Sequence, residues 1–246
     1  MKESKEHLRH TIWDTLLKKR VARPPLPPHG RIPNFEGAER AAELLTRLSE
    51  WRNAKVIKVN PDSPQRWVRL RALNENKILL MPTPRISEGF ILLDPNLIPS
   101  RLYGLASTIR GAFKLGVKLR TINEIIRRVE RVDFIVEGSV VVNIYGERLG
   151  KGEGYGELEY AILLTLKLID PDIKIATTVH NLQVLRDRIP QDPYDVPIDY
   201  IVTPSRIIRV ENRGERPKGL IWSLLSEDKI HSIPLLKDIL RLRSEA

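Results

Sequence analysis

The sequence predicts an α/β fold of three layers, a mostly parallel sheet with helices on both faces. Two observations carry this. Short β-branched runs alternate with stretches of helical periodicity, which is the βαβ pattern. The runs DFIV at 133–136 and VVVNI at 140–144 are almost continuously apolar, as strands covered on both faces are.

Residues 5–20 read as an amphipathic helix. Leu8, Ile12 and Leu16 recur one turn apart, Trp13 and Leu17 widen the stripe, and Ser4 stands where an N-cap belongs. Pro24, Pro25, Pro27 and Pro28 end it, since proline lacks a backbone donor and restricts the residue before it. The block 23–35 is either a plain linker or a rigid wrap anchored by Ile32 and Phe35. After Gly37, the spacing of Ala38, Ala41, Ala42, Leu45 and Leu48 marks a second helix. Strands are expected at 55–59, 78–81, 89–93, 133–136, 140–144, 173–179 and 198–202, with 207–210 as a hairpin partner of the last. Helices are expected at 67–73, 106–115, 122–132, 155–169 and 235–242.

The chain of 246 residues is expected to form one domain over 1–246, with an added segment at 214–246. It has no cysteine, which excludes a disulfide scaffold, a cysteine-type zinc site and a cysteine nucleophile. No apolar run approaches the roughly 20 residues of a membrane span, and the first 20 residues lack the apolar core of a signal peptide. The expected location is the cytoplasm, as a monomer or homodimer. A charged fraction of 29% with few glutamines leans thermophilic. The net charge of +10 draws anions, either nucleic acid or small anionic molecules. No RNP-type aromatic strand or zinc finger supports the nucleic-acid choice.

Residues 146–157 carry the strongest chemical signal: Gly146, Glu147, Arg148, Leu149, Gly150, Lys151, Gly152, Glu153, Gly154, Tyr155, Gly156, Glu157. The run follows a buried strand and precedes a helix. Glycines let successive amides turn toward one point, the helix start adds positive partial charge, and Arg148 and Lys151 add formal charge. That combination suits an anion, and a flexible glycine turn is the plainer alternative. It lacks the endings of a Walker A run and the spacing of a dinucleotide fingerprint. His180 and Asn181, after the strand at 173–179, are weaker candidates for a cleft.

The same run resembles the G-x-R-L-G-x-G-x-G-Y signature of the 5-formyltetrahydrofolate cyclo-ligase family, in a divergent branch similar to archaeal members and synthetase-domain-containing proteins. Lys5 and Arg9 resemble the family's N-terminal basic pair, KILLMP at 77–82 its GK strand, and DVPID at 195–199 its late acidic element. The resemblance implies ATP and Mg²⁺ as cofactors and a reduced folate or related pterin as substrate. It implies that 5-formyltetrahydrofolate is closed to 5,10-methenyltetrahydrofolate through an N5-iminophosphate. Lys5, Arg9 and residues 148–155 would then bind ATP, with Arg148 and Lys151 at the reacting phosphate. Glu157 and Asp195 would hold the metal, and Asp62, Tyr155 and Gly156 would line the pterin pocket. The family's Gly-Tyr-Tyr-Asp is Gly154-Tyr155-Gly156-Glu157 here, so one aromatic is lost and the carboxylate is one methylene longer. Two rivals stay open: a binding module on the same fold, and a ligase for another one-carbon pterin.

Overall fold

A computed structural model describes residues 4–244; residues 1–3 and 245–246, the ends of the expected 1–246 unit, lie outside the described residues. The chain opens with α1 (Lys5–Lys18), and the Ser4 side chain caps it by accepting from the His7 amide at 3.1 Å. β1 (Ala22–Arg23) then pairs antiparallel with β2 (Asn34–Phe35), and the prolines occupy the connection, where no ladder bond is needed. Ile32 and Phe35 are buried. Next come α2 (Ala38–Leu45), α3 (Ser49–Asn53), β3 (Val56–Val59), α4 (Arg66–Asn74), β4 (Ile78–Pro82) and β5 (Phe90–Leu93). They are followed by α5 (Tyr103–Ala106), α6 (Ile109–Leu115), β6 (Val117–Leu119), α7 (Ile122–Arg128) and β7 (Phe134–Glu137). The last part runs β8 (Val141–Asn143), β9 (Arg148–Leu149), α8 (Tyr155–Thr165), β10 (Lys174–Thr178), β11 (Val184–Leu185), β12 (Tyr200–Val202), β13 (Ile207–Arg209), α9 (Glu227–Ser232) and α10 (Pro234–Ser244).

The main sheet has eight strands in the order β13-β12-β10-β7-β3-β4-β5-β6. The five strands from β12 to β4 are mutually parallel; β13 and β5 flank them antiparallel, and β6 pairs antiparallel with β5. Side chains alternate across the sheet. Phe134 and Val136 enter one core with Ala42, Trp51 and Val68 from α2, α3 and α4. Ile135 enters the opposite core with Ile125, Ile162 and Ile239 from α7, α8 and α10. The chain runs from β3 outward to β4 on one side and later places β7 on the other. The strand order therefore reverses between β3 and β7, where a crevice opens at the carboxyl ends.

A strand at 140–144 is present, but β8 lies outside the main sheet. It joins a second sheet of three strands in the order β11-β8-β9. The glycine run therefore leaves this small sheet and not a strand of the main sheet. The helix expected at 106–115 is two helices, because Thr108 caps a new start by accepting from the Gly111 amide at 2.9 Å. The helix expected at 122–132 stops at Arg128, where Val129 turns extended to feed β7.

One face of α1 covers the small sheet. Leu8, Ile12, Trp13 and Leu16 pack with Val140, Val141 and Leu149, and the Trp13 indole donates to the Arg31 carbonyl at 3.0 Å. Leu16→Ala, at a fully buried position, is expected to lower stability by about 2–5 kcal/mol in urea unfolding. A loss below about 1 kcal/mol would show that α1 packs only loosely on the small sheet.

Candidate functional site

The β8–β9 hairpin aims the glycine run. Asn143 Oδ1 accepts from the Tyr145 and Glu147 amides at 3.1 and 3.0 Å, closing the hairpin turn. Arg148 follows, its side chain almost wholly buried. Its Nη1 donates to the Gly138 carbonyl at 2.6 Å, and its Nη2 is bonded to Glu157 in the first turn of α8. The end of β7, the hairpin and the start of α8 are thus held by one side chain. Between them, Gly154 adopts φ +71°, a left-handed conformation that favours glycine, as the N-cap of α8. Residues 150–154 form a turn, exposed at Lys151 and Gly152 and half-buried elsewhere, that leads into a helix start with no side-chain cap.

Two cavities flank this turn. The first, of 250 Å³, is lined by Lys5 and Arg9 of α1, the turn, Glu157, Leu158 and Ala161 of α8, Tyr194 and Asp195, and residues from the 217–229 segment. Arg9 Nε donates to the Gly150 carbonyl at 2.8 Å, which ties α1 to the turn. Lys5 Nζ donates to Asp192 at 2.5 Å and to Asp195. Burial works against the Lys5 charge, but these two carboxylates outweigh it and raise its pKa. Burial raises the Asp195 pKa, against the pull of Lys5.

The second cavity, of 480 Å³, opens at the carboxyl ends of β3 and β7, at the strand-order reversal. Its lining includes Asn60 and Asp62 after β3, Glu137 and Gly138 at the end of β7, Thr83 to Arg85 after β4, and His29 to Ile32 of the proline block. Below it lies a buried ionic cluster. Ile57 and Val59 face the core beneath α2 to α4, so Lys58 between them points the other way, toward α8. There Lys58 Nζ meets Glu137 Oε1 at 2.6 Å, Glu159, and Asn60 Oδ1 at 3.2 Å. Asn60 Nδ2 in turn donates to Glu159 at 3.1 Å. The second oxygen of Glu137 is buried and has no hydrogen-bond partner among the described residues. A Cβ at Gly156 would stand 3.0 Å from that oxygen and 3.2 Å from Arg148 Nη2, so a side chain there would crowd both. Burial drives the Glu159 carboxyl up to about 7; Lys58 pulls it down and Glu137 pushes it further up. Burial also raises Asp62.

The sequence pattern of the 5-formyltetrahydrofolate cyclo-ligase family matches residues 1–204. The chain belongs to the 5-formyltetrahydrofolate cyclo-ligase family. It is 35% identical over 249 residues to a methenyltetrahydrofolate synthase domain-containing protein of Danio rerio, covering 99% of this chain and 63% of that protein. The human protein of that name is 33% identical over 96% of this chain and 61% of its own length. The chain thus spans under two thirds of these relatives. Among solved structures it is similar to a 5,10-methenyltetrahydrofolate synthetase of Aquifex aeolicus, with a TM-score of 0.50 and 21% identity over 85% of this chain and 95% of that one. That similarity shows the fold.

The residues singled out by the cyclo-ligase resemblance fall on the two sides of one turn. Lys5, Arg9, Leu149, Gly152 and Asp195 line only the first cavity, and Asp62, Arg148, Lys151, Tyr155 and Gly156 only the second; Gly150, Glu153, Gly154 and Glu157 line both. Arg148 is therefore not a free cation in the loop. It sits beneath the loop, because Glu157 and the Gly138 carbonyl bind its guanidinium. Lys151 pairs with Glu153 at 2.8 Å, on the side away from Lys5. Glu157 and Asp195 face the same cavity, each already paired with a cation. Two carboxylates suit magnesium when phosphate and water supply its other ligands, and no group of three or more acidic, histidine or cysteine side chains fit for a metal occurs among the described residues. His180 caps a short 3₁₀ turn, accepting from the Leu182 amide at 3.2 Å.

Sequence reasoning missed Lys58, Glu137, Glu159 and Lys229. The first three carried a signal: each is an ionisable residue within an otherwise apolar stretch of strand or helix. Lys229 carried none, because its segment shows no motif.

An unfolded chain ionises Glu159 near the ordinary 4.5, while the folded protein keeps the proton up to about 7. Over that interval the folded state binds the extra proton, so this group's contribution to stability falls as pH rises. Relative to Glu159→Gln, the wild type is expected to lose on the order of 1–3 kcal/mol between pH 4.5 and 7.5 in urea unfolding. Parallel pH profiles of the two proteins would contradict the assignment.

Proposed function

We propose that the chain is an ATP- and magnesium-dependent ligase closing 5-formyltetrahydrofolate to 5,10-methenyltetrahydrofolate, with ADP and phosphate released. The observation that carries this is the pair of unlike cavities on opposite sides of one glycine turn. The first combines cations with apolar walls, which suits a nucleotide. The second presents the acceptors of Asn60, Asp62, Glu137 and Glu159 at the sheet ends, with Arg31, Arg85 and Lys151 also in its lining and Tyr155 in its wall. Acceptors suit the N–H-rich edge of a reduced pterin.

In this reaction the formyl oxygen attacks the γ-phosphorus and ADP leaves. N10 then attacks the activated carbon, and its C–O bond breaks to release phosphate. The chemistry asks for positioning and neutralised charge, not a protein nucleophile. Lys5, Arg9 and the amides of 150–154 face the phosphates from one side, and Lys151 approaches from the pterin side. Arg148 is a positioning residue that fixes Glu157. Glu157 and Asp195 would hold magnesium, whose chemistry is to neutralise and clamp phosphate oxygens.

The test is turnover of 5-formyltetrahydrofolate with ATP and magnesium, following the methenyl chromophore and ADP together, with the formylated methanopterin analogue in parallel. Equal amounts of methenyl product and ADP are expected. Lys5→Ala and Lys151→Ala are each expected to cut kcat/KM by about 10- to 100-fold, the loss of one charge-assisted contact. Product from the methanopterin alone would move the substrate to another pterin. ATP binding without either product would contradict the ligase.

A further inference from the structure

We infer that residues 217–229, beyond the stretch matched by the family pattern, complete the nucleotide cavity: Lys229 faces the phosphates, and Leu220, Ile221, Leu224 and Leu225 seat the base. The inference rests on the nucleotide assignment of the first cavity.

The segment is fixed at both ends. Before it, Arg216 is buried and donates to the carbonyls of Pro197 and Ile173 at 2.8 and 2.6 Å and to Asp199 at 2.5 Å. Burial works against the Asp199 charge, but Arg216 and the Ile175 amide outweigh it and hold the carboxyl below its usual range. After it, Ile233, Leu235, Leu236 and Ile239 enter the core that also receives α7 and α8. Between these anchors the chain crosses α8, with the Leu220 amide donating to Thr165 Oγ1 at 3.3 Å, and then borders the cavity.

Lys229 reaches the glycine turn itself. Its Nζ donates to the Glu153 carbonyl at 2.6 Å and lies 4.9 Å from the centre of the Tyr155 ring. Lys5 and Arg9 meet carboxylates, whereas Lys229 meets only a carbonyl and a ring and takes part in no ion pair among the described residues. Leu224 beside it is 52% exposed, although a few residues on the chain is packed into the core. A cation without a counter-charge beside an apolar wall suits a ligand with an anionic end and a flat apolar end. The family pattern stops at 204, whereas the Danio rerio relative aligns over 99% of this chain. The added wall therefore belongs to a stretch that this relative shares.

The test is calorimetric titration of the full chain with ATP plus magnesium, with tripolyphosphate, and with adenosine. Lys229→Gln is expected to weaken ATP and tripolyphosphate about tenfold and to leave adenosine unchanged. Leu224→Ser, an uncharged change at an exposed position, is expected to weaken ATP and adenosine but not tripolyphosphate. Thermal melts of both variants confirm folding. Wild-type binding of ATP with unchanged affinity in both variants would overturn this inference and leave the nucleotide cavity standing. Failure of the wild type to bind ATP would overturn both.

Discussion

Arg148 sends one nitrogen to the Gly138 carbonyl and another to Glu157, and in doing so it joins three parts of the chain. One is the end of β7, which closes the strand-order reversal. Another is the hairpin of the small sheet, on which α1 rests. The last is the first turn of α8. The glycine turn spans the gap between the second and third, and Arg9 binds it from α1 at the Gly150 carbonyl. Fixing one guanidinium therefore fixes where the turn's amides point and separates the space on its α1 side from the space on its sheet side. The need for a short side at Gly156 follows from the same constraint, since a Cβ there would press on Arg148 and Glu137 together.

The interior around that point is unusual in its charge. Lys58 and Arg148 are buried with Glu137, Glu157 and Glu159, so acids outnumber bases. Buried ion pairs rarely add net stability over apolar packing, because desolvation offsets most of the Coulombic gain. An acidic excess is harder still to hold, and the Glu159 proton retained up to about 7 is how the fold relieves it. The cluster therefore has a better explanation in recognition than in stability. It leaves an acceptor-rich floor at the sheet crevice, with one Glu137 oxygen unpartnered.

Much of this architecture was legible in the amino-acid pattern. The nearly continuous apolar run at 133–136 named a central strand because burial on both faces leaves little room for polar residues. The glycine run announced its turn through composition, and Lys5 and Arg9 fell one helical turn apart on one face of α1. Other features were not legible, for definite reasons. The run at 140–144 looks like a central strand because a small sheet covered by α1 buries its first four residues just as fully. Arg148 looks like a loop cation because only its long-range partners, Gly138 and Glu157, show that it points inward. Lys58, Glu137 and Glu159 lie far apart in sequence, and their meeting depends on strand register and on the face that β3 turns to α8. The wall at 217–229 is assembled from isolated leucines with no periodicity, and its place is set by Arg216 and α10 at its two ends.

In the proposed complex, ATP occupies the α1 side of the glycine turn. Amide hydrogen exchange with and without ATP and magnesium measures it directly. Slowed exchange at residues 150–158, at the first two turns of α1 and along 217–229 is the expected result. ATP binding with protection confined to other surfaces, and none at residues 150–158, would contradict the account.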